Sequence, residues 1–217
     1  EPIQGEAGVY PAGDDFLRGL RALTRDEGLL LILDEIQTGI GRTGRLFGFE
    51  HPGVTPDILN CAKQITNGVQ PLGAVVVKPE IYDTFMHADA PHYLVEFPHG
   101  YTYSAHPVAC AAALATLDLL EREQAVERVN ALAPYFEQKV HALRGCKHVT
   151  DIRNFGLAAG FTLAAAPGEP AKAVLDELPH LGPGVFVAGE AVEQLIDRQQ
   201  ARDAESADVG QRQECGD

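Results

Sequence analysis

Residues 29–44 have the sequence LLLILDEIQTGIGRTG, in which five apolar residues are followed by two acids and a glycine-rich segment. Because every residue of 29–33 is apolar, this segment predicts a β-strand covered on both faces, as in parallel sheets flanked by helices. Asp34 follows the strand at its carboxyl end, where open α/β sheets bind their ligands. The glycine spacing predicts a loop over residues 38–44. The stretch therefore predicts an α/β fold with a ligand site near Asp34.

The residues around this stretch continue the α/β pattern. Residues 14–27 carry apolar side chains three or four positions apart, which predicts an amphipathic helix that Asp14 caps and Gly28 ends. The segment from Met86 to Tyr103 has no periodicity and is predicted to be a long ordered loop. The other predicted elements are strands over residues 58–62, 73–77, 149–153 and 157–163, a helix that begins at Pro79, and helices over residues 107–123 and 123–143.

The composition indicates a soluble globular chain. It has 217 residues, 45% of them apolar, and a formal charge of -14. This acidity argues against nucleic acid and anionic membranes as partners, and no apolar run reaches the roughly 18 residues that cross a bilayer. The four cysteines have no zinc-ligand spacing, so we expect no metal site and a reducing, cytoplasmic compartment. Since the chain opens at Glu1 rather than Met, we also expect it to be a fragment.

Two charged residues stand at the ends of predicted strands. Asp34 follows residues 29–33, and Lys63 follows residues 58–62. A buried charge is costly unless it is paired, so the two residues could form a structural ion pair. A desolvated lysine is instead a nucleophile toward an aldehyde, and an acid can hold a protonated ring nitrogen, which are the two needs of pyridoxal phosphate (PLP). The residues alone leave both interpretations open.

Thr102 and Ser104 lie just before the helix that Pro107 begins. The first backbone N–H groups of a helix are unpaired and favour an anion, so a phosphate could bind there. The other interpretation is that Ser104 only caps the helix.

Several motifs of the chain extend beyond these residues. They are EPIQGEAG at residues 1–8, LDEIQTGIGRTG at 33–44, PD at 56–57, AK at 62–63 and HGYTYS at 99–104. Together they resemble class III aminotransferases of fold type I, with the motifs in the family's order, and the resemblance runs from Glu1 to about Leu163. Within it, residues 62–68 (AKQITNG) and 96–109 (EFPHGYTYSAHPVA) are similar to the ω-amino acid (β-alanine):pyruvate branch.

The resemblance implies a role for each matching residue. Lys63 would form a Schiff base with PLP and then carry the proton in catalysis. Asp34 would pair with the pyridinium nitrogen, Ile36 would pack on one face of the ring, and Gln37 would reach the ring's 3-oxygen. Thr102 would cross the interface of a homodimer to the cofactor phosphate of the partner subunit.

The implied activity is transfer of an amino group from an ω-amino acid or amine to pyruvate or another keto acid. Glu6 departs from this branch, because ornithine and acetylornithine aminotransferases have glutamate there, where it can gate the substrate. An ornithine-type aminotransferase or an aminomutase on the same scaffold therefore stays open as an alternative. A catalytically silent fragment is a further alternative, since neither the family's N-terminal phosphate loop nor its substrate-binding arginine can be placed in the chain.

The resemblance also implies a domain organisation. Residues 1–122 would be part of the large PLP-binding domain, an α/β domain with a mainly parallel sheet. Residues 123–165 would start a small α+β C-terminal domain. Residues 166–217 form an atypical acidic tail that we expect to be poorly ordered.

Overall fold

The fold was analysed in a computed structural model that describes residues 1–87, 91, 99–146 and 149–164. The tail over residues 166–217 and most of the loop predicted over 86–103 lie outside the described residues. The described helices are α1 (Asp14–Asp26), α2 (Pro79–Met86), α3 (Pro107–Arg122) and α4 (Ala125–His141), with short 3₁₀ helices at Gly48–Glu50 and Lys63–Ile65. The strands are β1 (Ile3–Gln4), β2 (Tyr10–Pro11), β3 (Ile32–Asp34), β4 (Ile58–Cys61), β5 (Ala74–Val77), β6 (Val149–Phe155) and β7 (Ala158–Leu163).

The chain forms two compact units. The first unit consists of Glu1–Gly5 and Pro11–Asn130, and the second consists of Glu6–Tyr10 and the described residues from Ala131 onward. Within the described ranges, none of the helices combines the length and apolarity that spanning a membrane requires.

The N-cap residue of helix α1 lies one position earlier than the sequence predicted. Gly13 is the N-cap residue, and its carbonyl accepts the Leu17 amide at 3.1 Å. The prediction that Asp14 caps the helix is therefore wrong, because Asp14 already lies in the first turn, where its charge favours the helix dipole. The predicted end is confirmed, since Gly28 follows the C-cap with a φ of 67°, which glycine adopts without strain.

The sheet of the first unit has three strands in the order β3-β4-β5. Strands β3 and β4 are parallel, as predicted, with Ile32 opposite Ile58, whereas β5 runs antiparallel to β4. The prediction that residues 29–33 are covered on both faces is wrong. Leu33 is 3% exposed but Ile32 is 55% exposed. The reason is that the described side chains that pack on this strand, Leu20, Phe47 and Phe49, all contact the face that carries Leu31, Leu33 and Leu59.

Asp57 joins three elements of the first unit. Its carboxylate lies 2.7 Å from Arg21 of α1 and 2.7 Å from Lys78, and it accepts the Leu31 amide at 2.8 Å. Burial alone would raise the pKa of Asp57, but the Leu31 amide, Lys78 and Arg21 together hold that pKa well below its usual range. The carboxylate is therefore fixed as an anion between α1 and the sheet.

The second unit packs α4 on the antiparallel hairpin β6–β7, whose two strands confirm those predicted over 149–153 and 157–163. Phe136, Val140, Leu143 and Ala159 form its core. The segment Glu6–Tyr10 packs on the same hairpin. Arg153 donates through Nε to the Gly8 carbonyl at 2.9 Å, and its guanidinium lies 4.2 Å from the Tyr10 ring centroid.

We expect Gly160→Ala to destabilise the second unit by about 1–3 kcal/mol, because overpacking a tight contact costs that much. A Cβ at Gly160 would lie 2.4 Å from the Gly8 carbonyl oxygen, which belongs to the backbone and cannot rotate away. Gly19→Ala is the matched control, since a Cβ there meets nothing within 4 Å. Alanine at this exposed helix position should stabilise the chain by up to about 1 kcal/mol. Urea unfolding of both variants measures the difference, and equal effects would contradict the expectation.

Candidate active site

The carboxyl edge of the parallel strands brings the two predicted charged residues together. Asp34 is the last residue of β3 and stands opposite Asn60 of β4. Lys63 follows three residues after Asn60, directly beyond the end of β4. Because parallel strands end at the same edge of a sheet, Asp34 and Lys63 both lie at this edge. This is the position at which open α/β sheets bind ligands.

Asp34 is partly buried and is oriented by the turn that follows it. Its Oδ1 atom accepts the amide of Ile36 at 3.0 Å. This bond fixes the side chain against its own backbone at the end of β3. Asp34 and Lys63 are both described, and their side chains form no ion pair with each other. The ion-pair interpretation left open by the sequence is therefore wrong.

Lys63 is the first residue of a 3₁₀ helix, and its side chain is exposed in this chain. The sequence predicted a desolvated lysine, and this prediction is wrong for the chain by itself. The strand ends at Cys61 and Lys63 begins a 3₁₀ helix that has no buried residues, so the lysine lies outside the packed sheet. Lys63 has a φ of 52°, in the left-handed region that non-glycine residues rarely adopt. Such strained positions cluster at functional sites.

Gln37 is buried and Ile36 is partly buried in the turn beyond Asp34. The Gln37 side chain packs on Gly5, where a Cβ would lie 2.6 Å from its Oε1 atom. The main-chain carbonyl of Gln37 accepts a hydrogen bond from Arg42 Nε at 2.8 Å. Gly5 therefore leaves the space that the Gln37 side chain occupies, and the hydrogen bond from Arg42 holds the Gln37 main chain.

Glu35, between these residues, was missed as part of the site by the sequence analysis. It is fully buried and accepts the Thr38 hydroxyl at 2.5 Å and the amides of Gly48 and Phe49 at 2.8 and 2.7 Å. Burial raises the pKa of Glu35 more than these hydrogen bonds lower it. The sequence did carry a sign of this burial. Side chains two positions apart in a strand point to the same face, so Glu35 continues the buried face that carries Leu31 and Leu33.

Thr102 is exposed in the turn that leads to α3. Ser104 Oγ accepts the Tyr101 amide at 2.9 Å, and His106 is the N-cap residue of α3. The interpretation that Ser104 caps the helix is therefore wrong, because the helix begins at Pro107 and the serine closes the preceding turn instead.

Glu6, the predicted substrate gate, is exposed and belongs to the second unit. The other predicted site residues belong to the first unit. Over the described part of the chain, no three His, Cys, Asp or Glu side chains are grouped so that they could hold a metal ion.

The comparisons with known proteins give the class of the protein. The profile of the family "aminotransferase class-III" matches residues 1–206, so the chain belongs to the class III aminotransferases. This confirms the resemblance, and the solved relatives confirm fold type I.

Individual relatives differ in how similar they are to the chain. The chain is 52% identical over 169 residues to the ω-amino acid–pyruvate aminotransferase of Pseudomonas putida, covering 78% of this chain and 38% of that protein. It is 39% identical over 178 residues to the acetylornithine aminotransferase of Methanocaldococcus jannaschii, covering 82% and 42%. An amine transaminase from an uncultivated Pseudomonas species, solved in its PLP-bound form, is 37% identical with a TM-score of 0.70, covering 76% and 37%. The chain thus spans about two fifths of the length of the curated relatives it matches.

Proposed function

We propose that this chain is part of a PLP-dependent aminotransferase that moves an amino group from an ω-amino acid or amine to pyruvate. The observation that carries the proposal is the parallel pairing of β3 and β4, which brings Asp34 and Lys63 to one edge of the sheet. The family membership supports the reaction type, and the 52% identity to an ω-amino acid–pyruvate aminotransferase supports the substrate branch.

The residues at this edge fit PLP. Asp34 offers a carboxylate that its own turn orients, and a carboxylate is the group that keeps a ring nitrogen protonated. Gln37 offers a buried side-chain amide for a ring substituent, and the partly buried Ile36 offers an apolar side chain for a ring face. When bound, PLP supplies an electron sink for the carbon that carries the amino group.

Lys63 has two tasks in this proposal. Its amine would hold the cofactor at the aldehyde carbon, for which the uncharged form is the nucleophile. The same amine would move a proton at the carbon of the donor that carries the amino group. Its position at the strand end lets it serve both tasks without moving the sheet.

We propose further that the protein is a cytoplasmic homodimer in which Thr102 reaches the cofactor phosphate of the partner subunit. The exposure of Thr102 in the turn before α3 supports this role, since a hydroxyl must be accessible to meet a group on another chain. The free thiols of Cys61, Cys110 and Cys146 agree with a reducing compartment.

Donor selection tests the proposed function. We expect the purified chain, loaded with PLP, to form alanine from pyruvate with β-alanine as donor, and to do so faster than with ornithine. The reason is the greater similarity to the ω-amino acid branch than to the acetylornithine enzyme. Alanine is measured by chromatography, and the Lys63→Ala variant is the control that should form none.

Two results would contradict this expectation. Faster turnover of ornithine would move the chain to the ornithine-type branch that Glu6 keeps open. PLP bound at Lys63 without any alanine formation would mean that the chain is a catalytically silent fragment.

A further inference from the structure

Glu35 is a buried acid that forms no ion pair in the described part of the chain. It is 0% exposed, and its carboxylate accepts hydrogen bonds from the Thr38 hydroxyl and from the amides of Gly48 and Phe49. An unpaired buried carboxylate is costly, and three donors offset this cost only if each stays in place. The residue therefore depends on a fixed local geometry and also imposes one.

The three donors come from two segments. Thr38 belongs to the same turn as Asp34 and Gln37, whereas Gly48 and Phe49 belong to the 3₁₀ helix Gly48–Glu50. The Glu35 carboxylate thus connects the turn of the candidate site to a second element. The main chain of Glu35 is fixed as well, because its amide donates to the Asn60 carbonyl and its carbonyl accepts the Gly39 amide, both at 2.8 Å.

Two glycines allow this close packing. A Cβ at Gly39 would lie 2.7 Å from the Glu35 carbonyl oxygen, and a Cβ at Gly48 would lie 3.1 Å from its Oε2 atom. A side chain at either position would have to displace Glu35. The packing around the residue therefore tolerates little movement.

We infer that Glu35 is a positioning residue, whose buried carboxylate holds the turn that carries Asp34 and Gln37 in the orientation needed to bind the cofactor ring. Asp34 precedes it directly, and the hydrogen bond from the Ile36 amide to Asp34 Oδ1 spans it. A displacement of Glu35 would therefore break the contact that orients Asp34. Because Asp34 and Gln37 bind a cofactor only under the proposed function, this inference rests on that proposal.

Hydrogen exchange of the chain without PLP tests the positioning directly. In Glu35→Gln, one face of the carboxylate becomes an amide N–H group that meets a backbone N–H, so one donor loses its acceptor. We expect the Ile36 and Gly39 amides to exchange about tenfold faster, as for local opening of a turn that has lost one buried hydrogen bond. Amides in the middle of α1 should keep their rates.

Two further comparisons separate positioning from a general loss of stability. Thr38→Val removes one donor and should also accelerate exchange at Ile36, whereas Thr38→Ser keeps the hydroxyl and should restore the native rate. Glu50→Gln is the matched acidic control, because Glu50 accepts one amide, that of Phe47, from an exposed position. The Thr38 pair also decides the question if Glu35→Gln fails to fold.

Exchange that rises equally in α1 and in the turn, or that stays native at Ile36 in both Glu35→Gln and Thr38→Val, would overturn the inference.

A second readout is the PLP concentration that half-saturates Lys63, which should rise about tenfold in Glu35→Gln for one lost hydrogen bond to a charged group. A wild-type chain in which PLP does not attach to Lys63 would contradict the proposed function, while the exchange result would still decide the role of Glu35. Native PLP affinity in Glu35→Gln, with normal attachment at Lys63 in the wild type, would contradict the inference alone.

Discussion

In the Lys63→Ala variant, borohydride reduction in the presence of PLP is expected to leave almost no cofactor attached to the chain, whereas the wild type should carry it on the peptide that contains Lys63. The physical reason is position. Lys63 lies beyond β4, and under the proposed function Asp34 and Gln37 would hold the ring at the same edge, so attachment there would gain contacts that an isolated surface lysine lacks. Peptide mass spectrometry after reduction locates the modified residue.

Two other lysines calibrate this experiment. Lys139 lies on α4 with its Nζ atom 5.4 Å from the Tyr135 ring centroid, and Lys139→Ala should leave the attachment unchanged. Lys78 is paired with Asp57 at 2.7 Å and should react less than Lys139. Cofactor spread evenly over the lysines, or unchanged attachment in Lys63→Ala, would remove the assignment of Lys63.

The Asp57→Asn variant should lose about 3–5 kcal/mol of its free energy of unfolding at neutral pH, as expected when one partner of a buried ion pair is removed. The substitution leaves Arg21, which is 8% exposed, without its carboxylate partner. Lys78 also loses its ion-pair partner, and the Leu31 amide donates to a weaker, uncharged acceptor. Urea denaturation followed by circular dichroism measures the loss.

Asp15→Asn is the matched control for this prediction. Asp15 also pairs with an arginine, Arg18 at 2.9 Å, but its side chain is fully exposed. Solvent screens such a pair, so the control should lose at most about 1 kcal/mol, which includes the interaction of Asp15 with the helix dipole. Equal losses in the two variants would mean that the Asp57 pair is not buried in solution.

The depressed pKa of Asp57 also fixes a pH dependence. Its contribution to stability is fully present above the pKa of an unfolded aspartate, about 3.9, and is lost as the pH falls toward the lower folded pKa. The wild type should therefore lose more stability than Asp57→Asn on acidification below about pH 4. The difference between the two proteins should shrink in acid, and a difference that does not change with pH would contradict the assigned pKa shift.

Local sequence predicted the elements of this fold well, because the local residues themselves determine them. The continuous apolar run of residues 29–33 predicted a strand there, and Gly28 ends α1 for reasons contained in its own backbone. Burial was predicted less well. Residues 29–33 are apolar at every position, yet Ile32 is exposed, because burial depends on which other segments pack on the sheet.

In the candidate site, too, features set by local residues were predicted and features that depend on distant residues were not. The position of Asp34 at a strand end followed from the sequence, since the strand and its end are local features. The exposure of Lys63 did not, because it depends on the direction the chain takes after Cys61. The role of Glu35 was also hidden, since its donors Gly48 and Phe49 lie 13 and 14 residues away and only the folded chain brings them to the carboxylate.

The hydrogen bond between Arg153 and the Gly8 carbonyl joins residues 145 positions apart. Val9, 1% exposed in the folded chain, has no hairpin to pack on until β6 and β7 have been made. During synthesis, Val9 therefore stays uncovered until the residues of the hairpin, about 140 positions later, have been made. Contacts of such high sequence separation form slowly, so this segment is exposed to aggregation in the meantime.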